Sequence, residues 1–224
     1  MRYHPIPPKV LGGLSATPSK RTLLTDEEAR ALLADIALGT VWQGSALHWC
    51  LNLTAASTGD RMGALQALRL CDVHADHLDI SRIWRRQHGF GPPRANSARV
   101  IPIPSRIAHV LSWLMVTHPA SVDTESILFC SFDDPYIRID HGTIMLRLYA
   151  ALHAVGISES ERRNRRLSFH AWRAWANTRV RVLGVPDAKV RHVLGHTTPQ
   201  MTERYTAFRP SDFADVVPAM EALT

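Results

Sequence analysis

The sequence predicts a domain of the α+β class, mainly α, with a small antiparallel β-sheet. Three observations carry that expectation. Most of the chain runs in amphipathic stretches opened by a capping residue or closed by glycine. One alternating stretch near the middle is followed by a Gly/Pro-rich turn and a returning stretch, the pattern of paired strands. Finally, 224 residues with 46% hydrophobic content suffice for one sizeable core.

Taken in order, residues 1–23 hold four prolines and little periodicity, and read as an arm or linker. Thr25-Asp-Glu-Glu28 is a capping box, with acidic residues in the first turn where the helix dipole favours them, and its helix is expected to continue to Gly39. A second helix is expected from Trp42 to Ser57. From Leu78 to Arg85 the alternation of Leu78, Ile80 and Trp84 predicts a strand, and Arg99 to Ile103 the strand that returns. Ser105 is the expected cap of an amphipathic helix reaching Thr117. Residues 127–129 read as a buried strand or core segment, and Asp140 as the N-cap of a helix ending at Gly156. His170 to Leu183 predicts a helix closed by Gly184, with Trp172, Trp175, Ala176 and Val180 as its core stripe. Pro186 opens the next, Gly195 ends it, and a short helix near Pro199 is expected to carry Tyr205. Residues 212–223 read as an amphipathic tail helix.

Composition narrows the function classes. Lys and Arg number 26 against 20 Asp and Glu, a net charge of +6, which favours a polyanionic partner. Arginine carries nearly all of it, since the only lysines are Lys9, Lys20 and Lys189. Cys50, Cys71 and Cys130 are widely spaced and odd in number, which disfavours a disulfide framework or a zinc site; Cys71 and Cys130 are expected to fill core space. The longest apolar run, 107–116, is about half a membrane span, so no membrane partner is expected and the chain reads as soluble and cytoplasmic. Twelve histidines invite a metal, but no H-x-x-x-H pair has a third ligand at the usual spacing. His74, His77, His88, His109, His118, His141, His153 and His192 are read as ordinary surface or partly buried residues.

The chemistry concentrates between His170 and Tyr205. His170 and Arg173 are three apart on one helix and share a face. His196 follows Gly195 at a helix end, and Tyr205 comes nine positions later. Arginine forks onto a phosphate, both histidines can donate to it, and a tyrosine hydroxyl can attack the phosphorus. No metal is needed where enough cations converge.

H-x-x-R, then L-G-H, then M-T-E-R-Y resembles the C-terminal signature of the tyrosine recombinases, the phage-integrase family. Upstream, Thr58-Gly-Asp-Arg61 with Leu68 and Asp72 resembles the family's first arginine box, T-G-x-R-x-x-E-x-x-x-L-x-x-x-D, with Ala64 in place of the glutamate that orients the arginine. Pro92-Pro-Arg94 through Arg99 to Pro102 resembles P-P-K-T-x-x-S-x-R-x-x-P, so Arg94 stands where the family has a catalytic lysine. An ammonium near pKa about 10.4 can give up a proton to a leaving oxygen, whereas a guanidinium above about 12 effectively does not.

The resemblance implies a tyrosine recombinase catalytic-domain fold over residues 24–206. A tail over 207–224 would dock on a neighbouring protomer or pack on its own domain. The implied catalytic set is Arg61, Arg94, His170, Arg173, His196 and Tyr205, working without a cofactor. Implied partners are double-stranded DNA, further copies of the chain in dimers or tetramers on DNA, and accessory DNA-bending proteins. The N-terminal DNA-clamping domain of the family is absent from this sequence, which then is either a catalytic domain alone or a fragment. Arg162, Arg163, Arg165 and Arg166, beside the phosphate-binding helix, are expected to contact the DNA backbone. A DNA-binding protein with little strand transfer is the competing reading, motivated by Ala64 and Arg94.

Overall fold

A computed structural model describes residues 23–93, 98–195 and 216–223. The elements are α1 (Asp26–Leu33), α2 (Ala37–Thr40), α3 (Ala46–Thr58), α4 (Met62–Leu65), β1 (His77–Ile80), β2 (Ile83–Arg85), β3 (Gly89–Gly91), β4 (Arg99–Pro102), α5 (Ser105–Val116), α6 (His141–Ala154), α7 (Glu159–Asn164), α8 (His170–Val182), α9 (Asp187–Leu194) and α10 (Val216–Glu221). Helices dominate and the strands form two small antiparallel pairs, as the fold class predicted. Among the described residues no helix is long and apolar enough to cross a membrane.

Everything is arranged around α3. From His48 to Thr58 every residue is buried, because the helix is apolar on nearly all sides and α1, α5, α6, α8 and α10 pack around it. Three of its polar residues are satisfied by carbonyls within the helix or by a neighbouring indole. Thr54 and Thr58 donate to the carbonyls of Cys50 and Thr54, and the Asn52 amide donates to His48 O while its oxygen accepts from the Trp172 indole at 2.8 Å. The stripe predicted on α8, Trp172, Trp175, Ala176 and Val180, is buried against this centre.

Several boundaries differ from expectation for identifiable reasons. The capping box at Thr25 is present, but its helix stops at Leu33, where Ala34 turns extended (ψ 152°). The second helix begins at Ala46 rather than Trp42. Gln43 and Gly44 turn left-handed, and the Trp42 indole donates to Leu32 O at 2.7 Å as a core anchor. Pro104, not Ser105, occupies the N-cap of α5, and the Ser105 hydroxyl turns towards Glu221. The single strand expected over 78–85 breaks at Ser81-Arg82, where Arg82 reaches back to Ala67 O at 2.7 Å. β1 therefore pairs with β4 (Leu78 opposite Ile101), while β2 and β3 form their own hairpin with Trp84 edge-on to Phe90. Residues 127–129 are buried and bridge to Arg69 only at Ile127, so they are a core segment. Asp140 caps α6 as predicted. Cys50 and Cys130 are buried but Cys71 is half-exposed, its thiol facing Glu125, which corrects its expected core role.

The described part of the tail, α10, buries Val216, Ala219 and Met220 against α3 and α8 of its own chain. A void of about 10 Å³ remains beneath it, lined by Val180, Val190 and Leu194 among others. The expectation of docking on a neighbouring protomer concerns an assembly; in the single chain the segment sits on its own domain.

Candidate active site

The site forms where three helix ends meet. α3 and α9 each terminate in a left-handed glycine, Gly59 (φ 65°) and Gly195 (φ 60°). The last carbonyls of a helix lack intrahelical donors and carry partial negative charge, so a cation belongs there. Arg173, from the first turns of α8, supplies it. One guanidinium nitrogen donates to Gly59 O at 2.9 Å and the other to Leu194 O at 2.5 Å. The side chain is only 4% exposed, and burial together with the nearby Arg61 and Arg99 guanidinium groups pushes its pKa down to about 10. It remains a cation at neutral pH.

Arg61 is the N-cap of α4, immediately after the Gly59 turn, and its side chain is exposed. Its backbone N–H donates to Asp60 Oδ1 at 2.8 Å. Gly59 is required twice over here. A Cβ would strain the left-handed backbone and would sit 2.3 Å from Leu194 Cδ2. The turn carrying Arg61 is thus pressed onto the end of α9, the helix that leads directly to His196.

Asp60 and Arg99 were not singled out by the sequence, yet they tie these pieces together. Arg99, at the start of β4, donates to Asp60 Oδ1 at 2.6 Å and to Val193 O at 2.9 Å, with both side chains nearly buried. Ala64 is buried and brings no carboxylate. A carboxylate does lie four residues earlier, at Asp60, against the Arg61 backbone N–H and the Arg99 guanidinium. Its second oxygen is buried and has no hydrogen-bond partner among the described residues. The signal for Arg99 lay in the quoted lysine pattern, which has an arginine at that place; Asp60 had none.

An open cleft of about 830 Å³ runs from this point, lined by Arg61, Gln66, Trp84, Arg86, Arg138, His141, Ser168 and His170 among others. His170, the first residue of α8, is exposed at the cleft, while Arg173 one turn on is buried beneath Gly59. The two were expected on one face; the structure puts them at different depths of one region. Arg86 and Arg138 are further cleft cations that the sequence did not mark, and Arg138 stacks over the Trp84 ring at 4.3 Å. The hairpin therefore forms one cleft wall. Arg94, His196 and Tyr205 lie outside the described residues.

The arginine run after α6 divides by role. Arg162 pairs with Glu159 at 2.6 Å and covers the Tyr149 ring at 3.8 Å; Arg165 pairs with Glu28 at 2.6 Å and with Glu161 at 2.8 Å. Arg165 holds the Glu28 carboxyl below its usual range, with the Thr25 N–H adding to the effect. These two arginines fasten α7 to α6 and α1. Arg163 pairs with Glu159 but its side chain is 72% exposed, and Arg166 is exposed in a left-handed backbone conformation.

The sequence model of the phage integrase family matches residues 22–211. No curated protein matches the chain in sequence. Solved structures similar to it include the XerA recombinase, with 21% identity and a TM-score of 0.57 over 88% of this chain and 64% of that one. The Tn1549 transposon integrase in complex with a circular intermediate DNA is 19% identical, with a TM-score of 0.67 over 96% and 70%. A lambda integrase dimer bound to a COC′ core site is 17% identical, with a TM-score of 0.54 over 89% and 66%. The chain thus spans roughly two thirds of the length of the solved chains it matches. At these identities the likeness shows a shared fold.

Proposed function

Because the chain belongs to the phage integrase family, we propose that it is a site-specific DNA recombinase that cuts and rejoins strands through a 3′-phosphotyrosine intermediate. The observation that carries this reading is the buried Arg173 cation, held by two helix ends beside Arg61 at the head of a cleft with further arginines. Such a group, fixed before substrate arrives, stabilises the charge that develops on a phosphate under attack.

In this reading Arg61, Arg173 and His196 hold the non-bridging oxygens of the scissile phosphate, and His170 assists. The Tyr205 hydroxyl loses its proton and attacks the phosphorus. The bond to the 5′-oxygen breaks, and that oxygen takes up a proton and leaves as a 5′-hydroxyl. A 5′-hydroxyl from a partner strand then reverses the step, so the bond energy is retained and no nucleotide cofactor is consumed. Asp60, braced by Arg99, takes the part of the glutamate missing at Ala64 by fixing the turn that presents Arg61. Arg94 steadies the phosphate but is a poor proton donor, so cleavage is slower than a lysine would give; general acid catalysis typically supplies about 10²–10⁴-fold. Double-stranded DNA lies along the cleft, and dimers or tetramers assemble on it, with accessory DNA-bending proteins where the site demands them.

The test needs no known target. The protein and a Tyr205→Phe control are expressed, cells are lysed under denaturing conditions, and covalently attached DNA is sequenced. Adducts at a repeated sequence, absent from the control, are expected. Tight DNA binding without adducts would instead favour a binding protein on this scaffold, and Arg94→Lys then asks whether the missing acid is the reason.

A further inference from the structure

Outside the cleft, the turn into β1 gathers a second set of polar side chains. Val73 bridges Leu78 across this turn, and the His74 N–H donates to His77 O at 2.9 Å. That pairing sets the two imidazoles side by side, with ring centroids 4.3 Å apart and planes 16° from parallel. Strand geometry adds the third member. Residues two apart share a face, so His77 and Asp79 point the same way while Leu78 and Ile80 enter the core. His74 Nε2 lies 3.1 Å from Asp79 Oδ2, and His77 Nε2 lies 3.9 Å from Asp79 Oδ1. One ligand atom from each of the three residues falls within 4.8 Å of the other two.

The other nitrogen of His77 is also engaged. Its Nδ1 lies 2.5 Å from Asp76 Oδ1. A carboxylate at Nδ1 fixes the tautomer that leaves the Nε2 lone pair free to coordinate. Two histidine–aspartate ion pairs would explain the contacts singly. They do not require both Nε2 atoms to converge on one carboxylate with the first ring oriented from behind.

We propose that His74, His77 and Asp79 form a binding site for a divalent transition-metal ion of the zinc class, with Asp76 as the residue that orients His77. Two imidazole nitrogens and a carboxylate oxygen suit zinc, and a fourth position stays open to water because all three residues are half-exposed. Bonds of about 2.0–2.2 Å would draw the ligand atoms from within 4.8 Å to about 3.3 Å apart. The ion would clamp the turn to the first strand of the β1–β4 pair, which ends at Arg99. The sequence concealed this because H-x-x-H-x-D has no metal spacing on a helix; only the turn brings it together.

Calorimetric titration of zinc chloride into the chelator-treated full chain is expected to show one saturable ion per chain. His77→Ala or Asp79→Ala should remove it, and Asp76→Asn, which leaves all three ligands in place, should weaken it by about 10–100-fold. With twelve histidines in the chain, scattered surface binding is the competing outcome; His88→Ala and His153→Ala are therefore expected to change nothing. The imidazole ¹⁵N resonances of the unmutated protein give a reading independent of any variant's folding. Those of His74 and His77 should shift at one equivalent of zinc while the others hold. Zinc binding of unchanged strength in a His74→Ala/His77→Ala double variant, or ¹⁵N shifts spread evenly over all histidines, would overturn the assignment. Neither outcome depends on DNA cleavage.

Discussion

Single side chains carry both the chemistry and the clearest tests of it. Arg173 satisfies two helix-end carbonyls with one guanidinium, a geometry that an ammonium cannot reproduce. Arg173→Lys should therefore lower stability by about 1–3 kcal/mol, seen as an earlier urea midpoint, besides abolishing adduct formation. Unchanged stability would mean that the carbonyls find other donors. His48 offers a test by pH. Its side chain is fully buried, and burial, with Arg147 adding, pushes the imidazole down to about 4. The folded chain thus holds it neutral, while the unfolded chain takes up a proton near pH 6.5. Stability should be full above about pH 6.5, fall as the pH drops towards about 4, and lose at most about 3 kcal/mol from this group. Urea unfolding of wild type and His48→Gln across that window isolates the effect: from about pH 6.5 to about 4 the wild type should lose up to about 3 kcal/mol more than the variant. Cys50 is a foil to these residues. Burial pushes its thiol up to about 12, so it stays unreactive at neutral pH.

At the scale of elements, reading the sequence succeeded where the local signal and the packing agree. The Thr25 capping box, the Asp140 cap, the terminal glycines of α8 and α9, and the Trp172 stripe were all legible because each is decided within a turn or two of the chain. The misses were tertiary. Trp42 was expected to open the second helix, but its indole is drawn to Leu32 O; the strand over 78–85 breaks because Arg82 finds Ala67 O. In the site, His170 and Arg173 were visible through their spacing and Arg61 through the resemblance of its box to the family's, whereas Asp60 was invisible because its partner Arg99 lies 39 residues away. The close contact between α3 and α9 is testable at one atom. Gly59→Ala puts a Cβ 2.3 Å from Leu194 in a left-handed backbone. It should destabilise by about 1–3 kcal/mol or more and weaken DNA cleavage further than stability alone explains. Circular-dichroism melting and the adduct assay on the same preparation check both parts.

For the whole molecule, the net charge of +6 means little until it is known which arginines are occupied within the fold. Arg162, paired with Glu159 and laid over the Tyr149 ring, and Arg165, paired with Glu28, are held against neighbouring helices, while Arg163, although paired with Glu159, is 72% exposed. Replacing Arg163 with alanine should leave melting unchanged and reduce the slope of log affinity against log salt by about one. Arg165→Ala should do the reverse, lowering the melting temperature with little change in slope. Parallel binding titrations at several salt concentrations separate the two. A last consequence follows from the position of Arg173. Its two acceptors lie 114 and 21 residues away along the chain, so its charge is aimed only once a distant helix and a nearby one have both arrived. The guanidinium acts as a coincidence detector for folding. A nascent or partly melted chain has the same residues but no assembled cluster to present to a phosphate.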